Sequence, residues 1–265
     1  MAKLTGGFAF SGSLGDISAY RKKGTNYTII RRKGGPAKER IQKDPNFKQT
    51  RLNNNEWRGC VLALKALIRA VFAVKHLADY PYSSTLQAVC KSIQNEDNLQ
   101  EKGKRSVLIS QQPHRLEGFG FNRENYFETL LRHPLHYSVD KIEGKARVEV
   151  PSLIPGINFH NPKGEPLYRL VAILGVVPDI VFDETMQRYR PVNQEIPYPA
   201  ECKTSWYCWK EGSGPQSLEL QLENWDPVQG LTLILSAGIE FGTPITNADI
   251  KPVKYAGSAR VLKVV

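Results

Sequence analysis

The chain has 265 residues, 41% of them hydrophobic and 23% charged, and a formal net charge of +10. Residues 1–75 hold 16 Lys and Arg against 4 Asp and Glu, whereas residues 76–265 hold 20 against 22, so the whole excess sits in the first third. A chain of this length and apolar content buries a real core, which excludes disorder throughout; its longest greasy run, residues 60–74, carries Lys65 and Arg69, which excludes a membrane span there.

The first predicted element is a basic β-hairpin. Residues 16–21 alternate in polarity, Lys22-Lys23-Gly24 supplies the turn, and residues 26–32 are rich in β-branched and aromatic types. Gly6, Gly7, Gly12 and Gly15 lead into it, and a lone hairpin must pack on something to persist. Lys33-Gly34-Gly35-Pro36 ends it, and a basic linker to Lys43 is expected. Asp44-Pro45 then reads as a helix start, with Asp as N-cap and Pro in the first turn. From there to about Ala78, Phe47, Trp57, Leu64, Leu67, Ile68, Val71 and Phe72 form an apolar stripe at helical spacing. Asn53-Asn54-Asn55 and Gly59 predict one long bent helix or two in series, and Tyr80-Pro81 a stop. A further helix is expected from Ser84 through Ile93, and a charged loop over residues 95–105.

Beyond that, turn signals become frequent and the runs between them are short and β-like. Strands are predicted over residues 135–139, 146–150, 167–177, 204–209, 218–223, 231–235 and 259–264, with a short helix over 125–132. The run 218–223 alternates at every position, the mark of a half-buried strand. The expected class is α+β: an N-terminal basic hairpin and helices (residues 1–105), followed by a mainly antiparallel β-sandwich of immunoglobulin or jelly-roll kind (residues 106–265).

The basic hairpin is the main candidate site. Arg21, Lys22, Lys23, Arg31, Arg32 and Lys33 gather at the two ends of the strand pair, with Tyr20 and Tyr27 among them, and Lys38, Arg40, Lys43, Lys48 and Arg51 extend the patch. Cations on a ribbon track a phosphate backbone, and tyrosines stack on bases. The same pattern also suits an edge hairpin kept soluble by charge.

Other constellations are weaker. His133 and His136, with Glu128 or Asp140, lack a third ligand at a telling distance, and Pro134 breaks the helix face, so no metal site is expected. The N-terminal glycines lack the strand–loop–helix frame and lysine of a phosphate loop, and no cofactor is expected. Asp183-Glu184 reads as a solvated pair. Trp206-Tyr207-Cys208-Trp209 reads as core on one face and a covered surface on the other, the alternative being an exposed platform there for a sugar or partner. No catalytic residue is assigned. Residues 1–6 lack the apolar core of a secretory signal. Cys60, Cys90, Cys202 and Cys208 are irregularly spaced, as free thiols of a cytoplasmic protein would be.

Gly12-Ser13-Leu14-Gly15-Asp16-Ile17, Tyr20 through Gly24, Tyr27, Arg31-Arg32-Lys33 and Gln49-Thr50-Arg51, with the closing runs 238–242 and 257–262, resemble a family of Bacteroidetes-type bacteria without an assigned function. Its members open with a glycine-punctuated basic hairpin ahead of a helix and a long β-rich remainder. The resemblance implies no activity and favours a non-enzymatic protein. Two functions are therefore expected. One is contact with an anionic polymer, nucleic acid above all, through the basic region. The other is assembly, in which the hairpin docks on a partner or on a second copy.

Overall fold

The computed structural model describes residues 2–4, 10–22, 25–246 and 249–265. Two units are distinct, Met1–Arg51 and Leu52–Val265. In the first, β1 (Ala2–Leu4), β2 (Gly12–Leu14), β3 (Ile17–Arg21) and β4 (Thr28–Arg32) form an antiparallel sheet in the order β1-β4-β3-β2. Gly15 and Asp16 make a two-residue turn between β2 and β3, with Gly15 at φ +52°, the left-handed geometry such turns require. The predicted hairpin is β3–β4, in register from Ile17↔Arg32 to Arg21↔Thr28. It stands at the centre of four strands, which removes the marginality of an isolated pair. Lys23 and Gly24 of its turn, and Gly6 and Gly7 of its lead-in, lie outside the described residues.

The expected linker up to Lys43 is instead largely helical: Lys38–Lys43 forms α1. Its Lys, Glu, Arg and Gln residues are good helix formers once Pro36 is passed. Asp44 caps a single 3-10 turn, accepting a bond from the Asn46 N–H at 2.9 Å. The long helix α2 (Lys48–Ala70) follows directly. Arg51 ties its start to α1, donating to the carbonyls of Ile41 and Asp44, each at 2.8 Å.

In the second unit α2 continues to Ala70 as one uninterrupted helix rather than two in series. Gly59 is a packing position: a Cβ there would lie 2.8 Å from the Tyr189 ring. The buried face of α2 is Glu56, Gly59, Cys60, Ala63, Leu67 and Ala70, whereas Trp57 and Phe72 of the predicted stripe are exposed. Small residues face inward because the helix lies close on a sheet. After it come α3 (Ser83–Asn95) and α4 (Phe127–Leu130). The strands are β5 (His136–Asp140), β6 (Lys145–Val150), β7 (Leu167–Pro178), β8 (Ile180–Asp183), β9 (Arg188–Pro191), β10 (Ala200–Lys203), β11 (Tyr207–Cys208), β12 (Gln216–Gln221), β13 (Leu231–Pro244), β14 (Ile250–Pro252) and β15 (Ser258–Val264).

β7 and β13 pair antiparallel from Leu167↔Gly242 to Pro178↔Leu231 and form the spine of a six-stranded sheet. Its order is β10-β7-β13-β14, with β11 also on β7 and β15 also on β13. Both faces of the spine are covered, so its strands are nearly continuous apolar runs. On one face Val171, Ile173, Val177, Ile234 and Val261 pack with Leu67, Leu86, Cys90 and Ile93 of α2 and α3. On the other, Leu170, Ala172, Leu174, Leu233 and Leu235 pack with Ala146, Val148, Leu218 and Leu220 of a three-stranded sheet, β12-β6-β5. The class is α+β with a sheet-rich, antiparallel C-terminal region. β13 runs nine residues past the predicted end at Leu235, and the predicted strand 204–209 shrinks to Tyr207–Cys208. Among the described residues no helix is long and apolar enough to cross a membrane.

Candidate polyanion-binding surface

Strand register decides how the cations of the first unit are dealt out. Ser18 opposes Arg31 and Ile17 opposes Arg32, so the two arginines take opposite faces. Arg31 shares its face with Tyr20, and its guanidinium carbon lies 5.6 Å from the Tyr20 ring centroid. Arg32 turns to Asp16 at 3.7 Å; both are more than three-quarters exposed, so the pair contributes little. The Lys33 N–H donates to the Asp16 carbonyl at 2.5 Å, which holds the third cation at the same end.

Arg21 and Lys22 lie at the opposite end, about 13 Å away along the strands. Arg21 Nε donates to the Thr25 carbonyl at 3.1 Å, and Thr25 Oγ1 donates to the Lys22 carbonyl at 2.7 Å, folding the loop back on itself. Lys38 and Arg40 sit on α1, where Arg40 pairs with Asp44 at 3.2 Å. Lys23 is outside the described residues. Thus Arg31, Arg32 and Lys33 share one end of the strand pair, with Arg31 and Arg32 on opposite faces, Arg21 and Lys22 form a second point, and Lys38 and Arg40 follow on a helix. Tyr20 is exposed, while Tyr27 is half-buried.

The unit holds 12 Lys and Arg against 3 Asp and Glu. Among the described residues its ion pairs are Arg32–Asp16 and Arg40–Asp44. Arg21, Lys22, Arg31, Lys33 and Lys38 face solvent without a carboxylate partner, and residues 31–40 are exposed throughout.

The second unit contains two buried charged clusters that the sequence reading missed. Glu56, fully buried on α2, accepts from Lys91 Nζ at 2.5 Å, Arg105 Nε at 2.6 Å and the Gly103 N–H at 2.9 Å. Burial pushes its carboxyl up, but the bonds from Arg105, Gly103 and Lys91 outweigh that and hold it at about 2. Glu240, buried on β13, lies 2.5 Å from both His76 Nε2 and Arg169 Nε, and Arg169 in turn covers the Trp206 ring at 4.4 Å. Burial raises the Glu240 carboxyl, and its His76 and Arg169 bonds bring it below the ordinary value. Both clusters join distant segments: Glu56 links α2, α3 and the 103–105 loop, and Glu240 links the spine to the segment after α2. The only sequence signal is an acid at helical or strand spacing on an otherwise apolar face.

Trp206 and Trp209 are both half-buried. Trp206 lies against Arg169, and Trp209 packs at 4.7 Å on the buried Phe159. His133 Nδ1 is 3.0 Å from the Pro134 carbonyl. Among the described residues no three His, Cys, Asp or Glu side chains converge as metal ligands. No protein family, curated protein or solved structure matches this chain.

Proposed function

We propose that the chain is a non-enzymatic binding protein that contacts an anionic polymer, nucleic acid foremost, through residues 1–51. The reading rests on one observation: among the described residues, five exposed cations, Arg21, Lys22, Arg31, Lys33 and Lys38, have no carboxylate partner. Forming phosphate contacts there breaks no ion pair and releases condensed counterions. Arg31 beside Tyr20 adds a flat, cationic surface of the kind on which bases stack. The N-terminal likeness to a family without assigned activity agrees with a binding role.

If all five cations meet phosphates of a duplex, affinity falls about 500-fold for a fourfold rise in salt. The test is fluorescence anisotropy with a labelled oligonucleotide duplex across a salt series, together with heparin retention. Arg31→Glu combined with Arg32→Glu should weaken binding and flatten the salt slope while the circular dichroism spectrum stays unchanged. A chain that passes through heparin at low salt without retention, or a double variant that binds the duplex as the parent does, overturns the proposal.

A further inference from the structure

The two sheets of the second unit end in open edges at the same place. β12 closes one sheet and β10 closes the other. Between them runs a groove of about 600 Å³, walled by Glu195, Glu201, Glu219 and Glu223 around an apolar floor that includes Pro199 and Leu220. No Lys or Arg is among its lining residues; Arg69 adjoins it, donating to the Ile196 carbonyl at 3.1 Å and lying 5.0 Å from the Tyr198 ring centroid. Glu195 and Glu223 have no ion-pair partner among the described residues. Glu201 and Glu219 have only long contacts, 3.4 Å to Lys203 and 3.8 Å to Arg147. A groove of this form surrounds an apolar floor with negative charge, which suits an exposed cationic segment.

We propose that this groove docks residues 31–38 of a second copy of the chain. The segment presents four cations, Arg31, Arg32, Lys33 and Lys38, to four carboxylates. All of its residues are exposed. At its middle, Gly34 and Gly35 have open space around them and no side chain to hold the backbone away from a strand edge. Arg31 and Arg32 end β4 and Lys38 opens α1, so the segment offers its four cations from an exposed loop and its two flanks. Groove and segment are different surfaces, so the contact is head-to-tail and propagates into a ring or an open filament. The inference rests on the same cationic segment as the proposed polyanion contact, and an acidic polymer competes with the groove for it.

Sedimentation velocity of the full chain at rising concentration tests the idea. Growth beyond monomer is expected at about 50 mM salt and its loss at about 0.5 M. Glu219→Lys with Glu223→Lys reverses the groove, and Arg31→Glu with Arg32→Glu reverses the segment; all four positions are exposed. Each double variant should weaken association at least about tenfold. Mixed together, the two variants should form a one-to-one complex, because one retains an intact segment and the other an intact groove. A strict monomer at low salt, association unchanged by reversing the groove, or a mixture that stays monomeric overturns the proposal. The groove variant keeps the whole basic unit, so its retention on heparin separates a failure of this proposal from a failure of polyanion binding.

Discussion

Glu56→Gln removes the charge at the centre of the α2–α3 junction and leaves every atom position filled. In the parent, two cations and one backbone N–H converge on the carboxylate. They hold it at about 2, against 4.5 for an unperturbed glutamate. At 1.36 kcal/mol for each pKa unit, that difference corresponds to about 3 kcal/mol, an upper figure because Lys91 and Arg105 keep some contact with water. A carboxyl whose folded value is depressed stabilises fully above its unfolded value and loses that stabilisation as pH falls toward the folded one. The gap between parent and Glu56→Gln should therefore be about 3 kcal/mol at pH 7 and shrink to roughly half near pH 3. Urea unfolding of both proteins across that range, followed by circular dichroism, gives the gap directly. Other carboxylates titrate equally in both proteins and cancel in the difference. A gap that stays constant from pH 7 to pH 3, or its absence at pH 7, refutes the reasoning.

Two further outcomes follow from packing. At Gly175, in the middle of β7, a Cβ would lie 2.2 Å from the Ala70 carbonyl oxygen of α2. Gly175→Ala must push the helix off the sheet and should cost about 3 kcal/mol in a thermal or urea melt; an unchanged midpoint would show that the helix is not seated there. Burial pushes the Cys60 and Cys90 thiols up to about 11 and about 12. A thiol-specific chromogenic reagent at pH 8 should thus titrate the half-buried Cys202 and Cys208 first and reach all four only on unfolding; four equal fast reactions would contradict this.

The letters of the sequence show some of these elements and hide others. β12 is legible because one face is buried and one is wet, so its alternation survives in the letters. β7 is legible as an apolar run because both faces are covered. The β8–β9 hairpin is not, since Asp183, Arg188, Arg190 and Pro191 dilute its pattern. The buried face of α2 misleads in the opposite way. Large apolar residues are the usual sign of a core face, but close seating on the sheet selects Gly59, Cys60, Ala63 and Ala70 and turns Trp57 outward. Glu56 was invisible because its role is set by Lys91 and Arg105, which lie 35 and 49 residues further along the chain.

The charge asymmetry was legible because net charge is a sum over letters, whereas its use depends on pairing, which is not. In the second unit, Lys91, Lys104, Arg105, Arg115, Lys145, Arg147, Arg169, Arg190, Lys203, Arg260 and Lys263 all stand within ion-pair distance of a carboxylate. In the first, only Arg32 and Arg40 do so among the described residues. These are 11 of the 24 Lys and Arg of the second unit, so an anionic surface that approached it would have to displace carboxylates from nearly half of its cations, and it would meet repulsion at the groove between β10 and β12. At the first unit, among the described residues, only Arg32 and Arg40 would have to leave a carboxylate. The preference for the N-terminal face therefore comes less from the number of cations than from how few of them are occupied, which makes it strongest at low ionic strength and gives way first to any acidic segment that can follow the strand edges.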